Sequence, residues 1–229
     1  MSGTQPEAET APMRHPVFIV DDHPLVREGL QKLIANEPDL AVCGEAEEAN
    51  EAFARIEATK PEVVIVDLSL RGESGLDLIR RIQLLPQPPK ALVLSMHDET
   101  HYAERALRAG AVGYVMKRET TSNIITAIHE VLQGGVFVSE TMASQMAKKY
   151  VGIGPKLAVS PIERLSNREL EVFQRIGQGQ ETRFIADELH LSLKTIQTHC
   201  AHIKEKLGLE NATALMHAAV RWVENEKRV

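Results

Sequence analysis

The chain has 229 residues, of which 43% are hydrophobic, 25% charged and 4% aromatic, a mixture typical of globular proteins. Its formal net charge of −6 excludes a uniformly basic nucleic-acid binder, and no apolar run is long enough to cross a bilayer. The length predicts one large domain or two ordinary ones, and Cys43 and Cys200 match neither a disulfide framework nor a zinc site, so we expect reduced thiols in a cytoplasmic protein.

Residues 1–14 contain Glu7, Glu9 and two prolines but no apolar stretch, which predicts a flexible tail and not a signal peptide. Over residues 15–135, short apolar runs alternate with helical patterns, which predicts an α/β domain with a five-stranded parallel sheet. The predicted strands are Val17–Asp21, Leu40–Cys43, Val63–Asp67, Ala91–Ser95 and Val112–Met116, and the predicted helices are Pro24–Ala35, Ala49–Ala58, Leu76–Leu85, Glu99–Ala109 and Ser122–Leu132. The first and third strands are continuously apolar, as expected where helices cover both faces of a sheet.

The ends of these strands carry polar side chains, namely Asp21, Asp22, Asp67, Ser95 and Lys117. In a sheet of flavodoxin-like order they would converge on one crevice at the carboxyl edge. A lone Asp at a strand end is equally consistent with a helix cap, but three adjacent carboxylates repel one another unless a cation joins them. Hard oxygen ligands of this kind suit Mg²⁺ or Mn²⁺. We interpret the neighbouring His23 and His97 as ordinary loop residues.

The alternation of strands and helices ends after Gly134 and Gly135. Residues 136–163 predict a linker with room for one helix, and residues 164–229 predict an all-α domain that opens on a capping-box pattern at Ser166. The formal charge is −7 over residues 1–150 and +1 over residues 151–229. A polyanionic partner would therefore bind the second part.

A candidate recognition helix follows Ser192 and ends near Gly208. Its apolar stripe, at i, i+4, i+7 and i+11, consists of Ile196, Cys200, Ile203 and Leu207. The opposite face consists of Lys194, Gln197, Thr198 and Ala201. Small, nearly uncharged polar residues suit a DNA major groove better than a merely solvated surface. A preceding helical pattern at Glu181–Leu189 completes the spacing of a helix-turn-helix.

Residues 16–135 resemble the receiver domain of bacterial two-component response regulators. The matching residues are the acidic pair Asp21 and Asp22, Asp67, Gly75 eight residues later, Ser95 and Lys117. The resemblance implies that Asp67 accepts a phosphoryl group from a histidine kinase. It also implies a metal ion held by Asp21, Asp22, Asp67 and the Ser69 carbonyl, a Lys117 that pairs with the phosphate, and a switch formed by Ser95 and Tyr114. Unlike many receivers, the chain has Leu70-Arg71 and Lys117-Arg118 in place of proline-containing pairs, so a cis Lys–Pro bond is absent.

Residues 164–223 resemble the LuxR-type DNA-binding domain. The matching stretches include residues 165–172, Ile185-Ala186, residues 194–196 and residues 206–208. The whole chain is therefore similar to a NarL/FixJ-family regulator. The resemblance implies DNA contacts from Lys194, Thr195, Gln197, Thr198, Ala201, His202 and Lys206. It also implies a dimer contact on the last helix, Ala212–Val223, from Leu215, Ala219 and Trp222. Gln197 and Ala201 stand where many relatives carry Lys, so we expect a modest salt dependence and a need for a homodimer on paired half-sites.

The favoured hypothesis is a phosphorylation-gated transcription factor with no enzymatic activity beyond its own phosphorylation and dephosphorylation. One alternative is a regulator that binds DNA independently of phosphate and is controlled by protein partners. A second is a Mg²⁺-dependent phosphotransfer enzyme that acts on a small substrate through an aspartyl phosphate. The intact set of strand-end residues argues against the first, and the absence of an inserted cap in the sequence argues against the second.

Overall fold

A five-stranded parallel sheet flanked by helices forms the N-terminal part of the computed structural model, which describes residues 14–71, 73–119, 121–151 and 161–226. The strands are β1 His15–Val20, β2 Leu40–Ala46, β3 Val63–Val66, β4 Lys90–Ser95 and β5 Ala111–Met116. The helices that alternate with them are α1 Pro24–Ala35, α2 Ala49–Thr59, α3 Gly75–Ile82, α4 Glu99–Ala109 and α5 Thr121–Leu132. The predicted tail, apart from residue 14, lies outside the described residues.

The strands lie in the order β2-β1-β3-β4-β5, and every neighbouring pair is parallel. This is the flavodoxin-like order expected from the sequence. The direction of winding reverses between β1 and β3, so a crevice opens beyond the carboxyl ends of these two strands. The polar residues that follow β1 and β3 therefore meet at the point where doubly wound sheets bind their ligands.

Both faces of the sheet are buried. Alternate residues of β1 point to opposite sides, with Phe18 and Val20 in one hydrophobic cluster and Val17 and Ile19 in the other. Strand β2 runs three residues beyond its predicted end at Cys43 and includes Gly44. A Cβ at Gly44 would lie 2.5 Å from the Phe18 ring, so glycine lets that ring pack against the backbone of β2.

The C-terminal part is helical, as predicted. Helix α6, Glu140–Val151, lies within the predicted linker, and a 3-10 turn at Pro161–Arg164 precedes α7 Asn167–Gly177, α8 Thr182–Glu188, α9 Leu193–Leu207 and α10 Ala212–Glu226. The capping box is present: Ser166 Oγ accepts from the Glu169 N–H, and the Glu169 carboxylate accepts from the Ser166 N–H at 2.7 Å. Gly208 ends α9 in the left-handed conformation (φ 65°).

The helical C-terminal part contacts the N-terminal part, which contains the sheet. Arg105, on α4, donates to the Leu165 carbonyl at 2.7 Å and to the Ile162 carbonyl at 3.0 Å. The Trp222 ring on α10 lies 4.9 Å from the His101 ring on α4 and 5.7 Å from the Phe173 ring on α7, measured between centroids. No helix within the described ranges is long and apolar enough to span a membrane.

Candidate functional site

Three of the predicted strand-end residues meet in one buried group. Asp21 follows β1, Asp67 follows β3 and Lys117 follows β5. The Lys117 ammonium nitrogen lies 2.7 Å from Asp21 Oδ2 and 2.6 Å from Asp67 Oδ2, and only 8% of the Lys117 side chain is exposed. The lysine thus bridges two carboxylates at the crevice formed by the change of strand order.

The protonation of this group follows from its burial and its charges. Burial, followed by the adjacent Asp67 carboxylate, raises the pKa of Asp21, although Lys117 opposes this shift. Burial alone would lower the pKa of Lys117, but the Asp67 and Asp21 carboxylates outweigh it and the pKa is raised. Lys117 therefore keeps its positive charge near neutral pH.

The carboxylates also fit a divalent cation. Asp21, Asp22, His23 and Asp67 each offer one ligand atom, and these atoms lie within 4.8 Å of one another. Asp22 Oδ1 is buried and accepts no well-directed hydrogen bond from the described residues, although His23 Nδ1 lies 2.7 Å away. An unsatisfied carboxylate oxygen beside two other carboxylates is the donor set that Mg²⁺ prefers. His23, interpreted from the sequence as a loop residue, is the N-cap of α1, and its N–H donates to Asp21 Oδ1 at 2.9 Å.

Gly75 fixes the backbone around Asp67. Its N–H donates to the Leu68 carbonyl at 2.9 Å, at the start of α3, where Ser74 Oγ accepts from the Leu76 N–H. A Cβ on Gly75 would lie 2.0 Å from the Asp67 carbonyl oxygen, which no side chain can occupy. The glycine therefore lets α3 begin directly against the residue that ends β3.

The two predicted switch residues lie beside each other in the core. Ser95 is buried at the end of β4, and its Oγ accepts from the His97 N–H at 3.3 Å. Tyr114, on β5, is also buried, and its hydroxyl donates to the His97 carbonyl at 2.9 Å. Burial raises the pKa of Tyr114 well above its ordinary value, so the phenol remains a donor.

His97 was interpreted as an ordinary loop residue, but its side chain has specific partners. Its Nε2 lies 2.8 Å from Ser69 Oγ and 3.7 Å from Glu171 Oε1, and its ring stacks on Tyr102 at 4.4 Å. Ser69 Oγ in turn donates to Glu171 Oε1 at 3.0 Å. The loop after Asp67 is thus linked to α7 of the C-terminal part, a contact between residues far apart in sequence.

Glu171 is charged in this network. Burial would raise the pKa of Glu171, but hydrogen bonding to His97 and the nearby Arg168 charge lower it to about 2. Arg168 lies 2.7 Å from Glu171 Oε2 and donates to the Leu70 carbonyl at 3.2 Å. Two side chains of α7 therefore hold the backbone and the hydroxyl of the loop that follows Asp67.

Helix α9 presents the predicted DNA-reading face to solvent. Ile196 and Ile203 are buried in the domain core, whereas the side chains on the opposite face are exposed, namely Lys194, Gln197, Thr198 and Ala201. The half-buried Thr195 places its hydroxyl 2.8 Å from Ser192 Oγ, at the N-terminal cap of the helix. The outward polar face is thus free of contacts with the core.

His202 and Lys206 turn toward α7. Lys206 Nζ donates to Glu169 Oε2 at 2.6 Å, and His202 Nδ1 lies 3.6 Å from Glu169 Oε1. Burial would raise the pKa of Glu169, but hydrogen bonds from Lys206 and the Ser166 backbone lower it. Part of the positive charge near the recognition helix is therefore neutralised within the domain.

The predicted dimer contact on α10 needs correction. Leu215 and Ala219 are 3% and 0% exposed, because they pack into the core of the helical domain, and this leaves them no surface to offer a second copy. Trp222 is half-buried between Phe173 and His101. The outward face of α10 instead carries Met216, which is 52% exposed.

Two protein-family models match the chain. The family "Response regulator receiver domain" matches residues 17–129, and "Bacterial regulatory proteins, luxR family" matches residues 163–219. The chain is 37% identical over 201 residues to the transcriptional regulatory protein UhpA of Salmonella typhimurium, covering 88% of this chain and 95% of that protein.

Solved structures are similar as well. A LuxR-family two-component response regulator from Aurantimonas sp. is 36% identical with a TM-score of 0.56, covering 60% of this chain and 99% of that one. RcsB from Salmonella enterica serovar Typhimurium, bound to a promoter in the presence of the phosphomimetic BeF3−, is 28% identical with a TM-score of 0.55, covering 89% of this chain and 97% of that one.

Proposed function

The chain belongs to the NarL/FixJ family of two-component response regulators, transcriptional regulators that join a receiver to a LuxR-type DNA-binding domain, and from that premise we propose that Asp67 is its phosphoacceptor. The observation that carries the proposal is the position of Lys117, whose ammonium lies 2.6 Å from Asp67 Oδ2. A histidine kinase would be the donor. In-line phosphoryl transfer needs positioning and charge neutralisation more than covalent help, and Lys117 supplies a fixed positive charge at the accepting carboxylate.

The other residues of the site have complementary roles in this proposal. Asp21, Asp22, Asp67 and the Ser69 carbonyl would hold Mg²⁺ or Mn²⁺, which when bound neutralises charge on the phosphoryl oxygens. Lys117 would pair with a phosphoryl oxygen, and Ser95 would donate its hydroxyl to the phosphoryl group. Tyr114 would follow Ser95, because both are linked to His97 in the same part of the core.

Phosphorylation would act on DNA binding by shifting a conformational equilibrium. A shift from 1:99 to 99:1 requires about 5.5 kcal/mol of differential interaction between the phosphate and the two states. The active form would be a homodimer whose two α9 helices read paired half-sites in the major groove, in the cytoplasm, where Cys43 and Cys200 stay free. The exposed face of α10 around Met216 is the part of that helix available for a second copy.

Asp67→Ala tests this function. We expect acetyl phosphate with Mg²⁺ to phosphorylate the wild type and to raise its affinity for an operator, selected by footprinting of a genomic library, by about tenfold, within the usual range of coupling energies. The variant should show neither effect. Equal operator binding with and without donor, in the wild type and the variant alike, would favour the regulator that binds DNA independently of phosphate.

Gln197→Ala tests the DNA-reading face. Gln can make two hydrogen bonds to an adenine edge, so its loss should weaken operator binding by about 5- to 150-fold, that is by about 1–3 kcal/mol. The slope of log K against log salt should be unchanged, because Gln carries no charge. Fluorescence anisotropy at several salt concentrations measures both quantities, and Gln178→Ala, exposed beyond the end of α7, is the matched control. An equal loss in the control would contradict the assignment.

A further inference from the structure

Three side chains that can bind a metal ion meet at the amino edge of the receiver sheet. Glu37 and Asp39 lie in the turn between α1 and β2, and His129 lies in the last turn of α5. One ligand atom from each residue lies within 4.8 Å of the other two. We propose that these three residues form a second metal site, which takes a transition-metal ion such as Zn²⁺.

The turn that carries two of these ligands is closed and anchored to the sheet. The Leu40 N–H donates to the Glu37 carbonyl at 3.4 Å, and Pro38, whose ring fixes its φ, is the second residue of this four-residue turn. The His15 N–H, at the start of β1, donates to the Asp39 carbonyl at 2.7 Å. The two carboxylates on either side of Pro38 are therefore carried by a short, constrained piece of backbone.

The side chains have nearly the spacing that a bound ion requires. His129 Nε2 lies 3.0 Å from Asp39 Oδ2. In a tetrahedral zinc site with bonds of about 2.0–2.2 Å, neighbouring ligand atoms lie about 3.3–3.6 Å apart. The side chains of His129 and Asp39 are 34% and 45% exposed, so they have room to rotate by the small amount that separates the two spacings. Water would take the fourth position.

The local charges favour a cation at this place. Within the described part of the chain, the Glu37 carboxylate has no hydrogen bond or ion pair, and Asp39 is paired with His129 alone. The last turn of α5 adds the negative end of the helix dipole. The Lys90 ammonium is already drawn to this end of α5 and donates to the Leu132 carbonyl at 2.7 Å. A divalent ion between the two carboxylates would neutralise more charge than a half-buried imidazole can.

This site is separate from the acidic pocket, the group formed by Asp21, Asp22, His23 and Asp67. Asp39 is hydrogen-bonded to the first residue of β1, whereas Asp21 follows the last residue of that strand. The six residues of β1 span about 20 Å, so one ion cannot serve both groups. At the amino edge an imidazole supplies one ligand of the three, which favours Zn²⁺ over Mg²⁺.

An ion at this position would join two elements that cover the same face of the sheet. Leu30 and Ile34 of α1 lie in one hydrophobic cluster with Ile128 and Val131 of α5. The metal would tie the turn after α1 to the last turn of α5 and so hold the two helices together. We expect it to stabilise the receiver, because the complete ligand set exists only in the folded state.

The test titrates Zn²⁺ into the full-length protein, freed of metal by a chelator and kept in excess Mg²⁺ so that Zn²⁺ must compete for the acidic pocket. Calorimetry measures the stoichiometry and affinity, and thermal unfolding with and without Zn²⁺ measures the stabilisation. We expect one equivalent of Zn²⁺ that raises the melting temperature. His129→Ala and Glu37→Gln should each weaken this equivalent by about 100-fold or more, since even groups behind a ligand contribute about 10- to 100-fold.

His15→Ala is the matched control. His15 Nδ1 lies 3.0 Å from Glu62 Oε2, and this pair is about as exposed as that of His129, but in the described residues it belongs to no group of three ligands. The control should keep the equivalent, and so should His23→Ala, which alters only the acidic pocket. Retention of the equivalent in His129→Ala or in Glu37→Gln, its loss in either control, or no binding of Zn²⁺ by the wild type would overturn the proposal.

Discussion

Gly75→Ala is expected to lower the rate of phosphorylation by about 100-fold, because a displacement of about 1 Å at a reacting group has an effect of that size. The new Cβ would lie 2.0 Å from the Asp67 carbonyl oxygen and 2.9 Å from Leu68 Cα, so the backbone of the phosphoacceptor must move. Neither neighbour is a flexible side chain. We also expect a loss of about 1–3 kcal/mol in the free energy of unfolding, as is usual for overpacking.

Gly29→Ala is the matched control for this substitution. Gly29 lies in α1, is exposed, and a Cβ there meets no described atom within 4 Å. Alanine should therefore stabilise the helix by about 0.5–1 kcal/mol and leave phosphorylation unchanged. Urea unfolding and the acetyl phosphate assay measure both effects. A Gly75→Ala variant as active and as stable as Gly29→Ala would contradict the close approach of α3 to Asp67.

Lys117→Ala is expected to reduce phosphorylation by about 10²- to 10³-fold, the usual effect of removing one preorganised positive or hydrogen-bonding group from a transition state. It should also destabilise the Mg²⁺-free protein by about 3 kcal/mol, because Asp21 and Asp67 lose the ammonium that lies between them. Mg²⁺ should then stabilise the variant more than the wild type, since the cation replaces the missing charge.

The control for Lys117→Ala is Lys32→Ala, an exposed lysine on α1. It removes the same charge from the chain but touches none of the three carboxylates, so activity and stability should both remain near the wild-type values. Thermal unfolding with and without Mg²⁺ separates the two variants. A Lys117→Ala protein that gains no more from Mg²⁺ than the wild type would show that Lys117 does not balance the acidic pocket.

The sequence predicted the receiver well because its signals are local. Apolar runs identified every strand of the sheet, and the bounds of α1 and α4 agree with the predicted ones. The acidic residues were expected to converge because parallel strands bring their carboxyl ends to one edge, and Asp21, Asp67 and Lys117 do so. Helix α3 was predicted to run to Leu85 but ends at Ile82, since apolar periodicity alone does not mark where a helix stops.

The contacts between the two domains could not be predicted in this way. His97 has no periodic pattern around it, and its partners Ser69 and Glu171 are brought together only when the domains dock. The apolar stripe of α10 was ambiguous for a related reason. The spacing of Leu215 and Ala219 fits an interface as well as a core, and the structure buries both in the core of the helical domain. Side-chain identity fixes which residues avoid water, but not which surface covers them.

Trp222 gives the molecule an internal optical reporter. It is the only tryptophan of the chain, and its indole lies against the His101 imidazole of the receiver. Separation of the domains would remove the imidazole from the indole and expose one side of the indole to water. Indole emission in water moves to longer wavelength. The colour and intensity of the intrinsic fluorescence thus record the arrangement of the two domains, without any label attached to the protein.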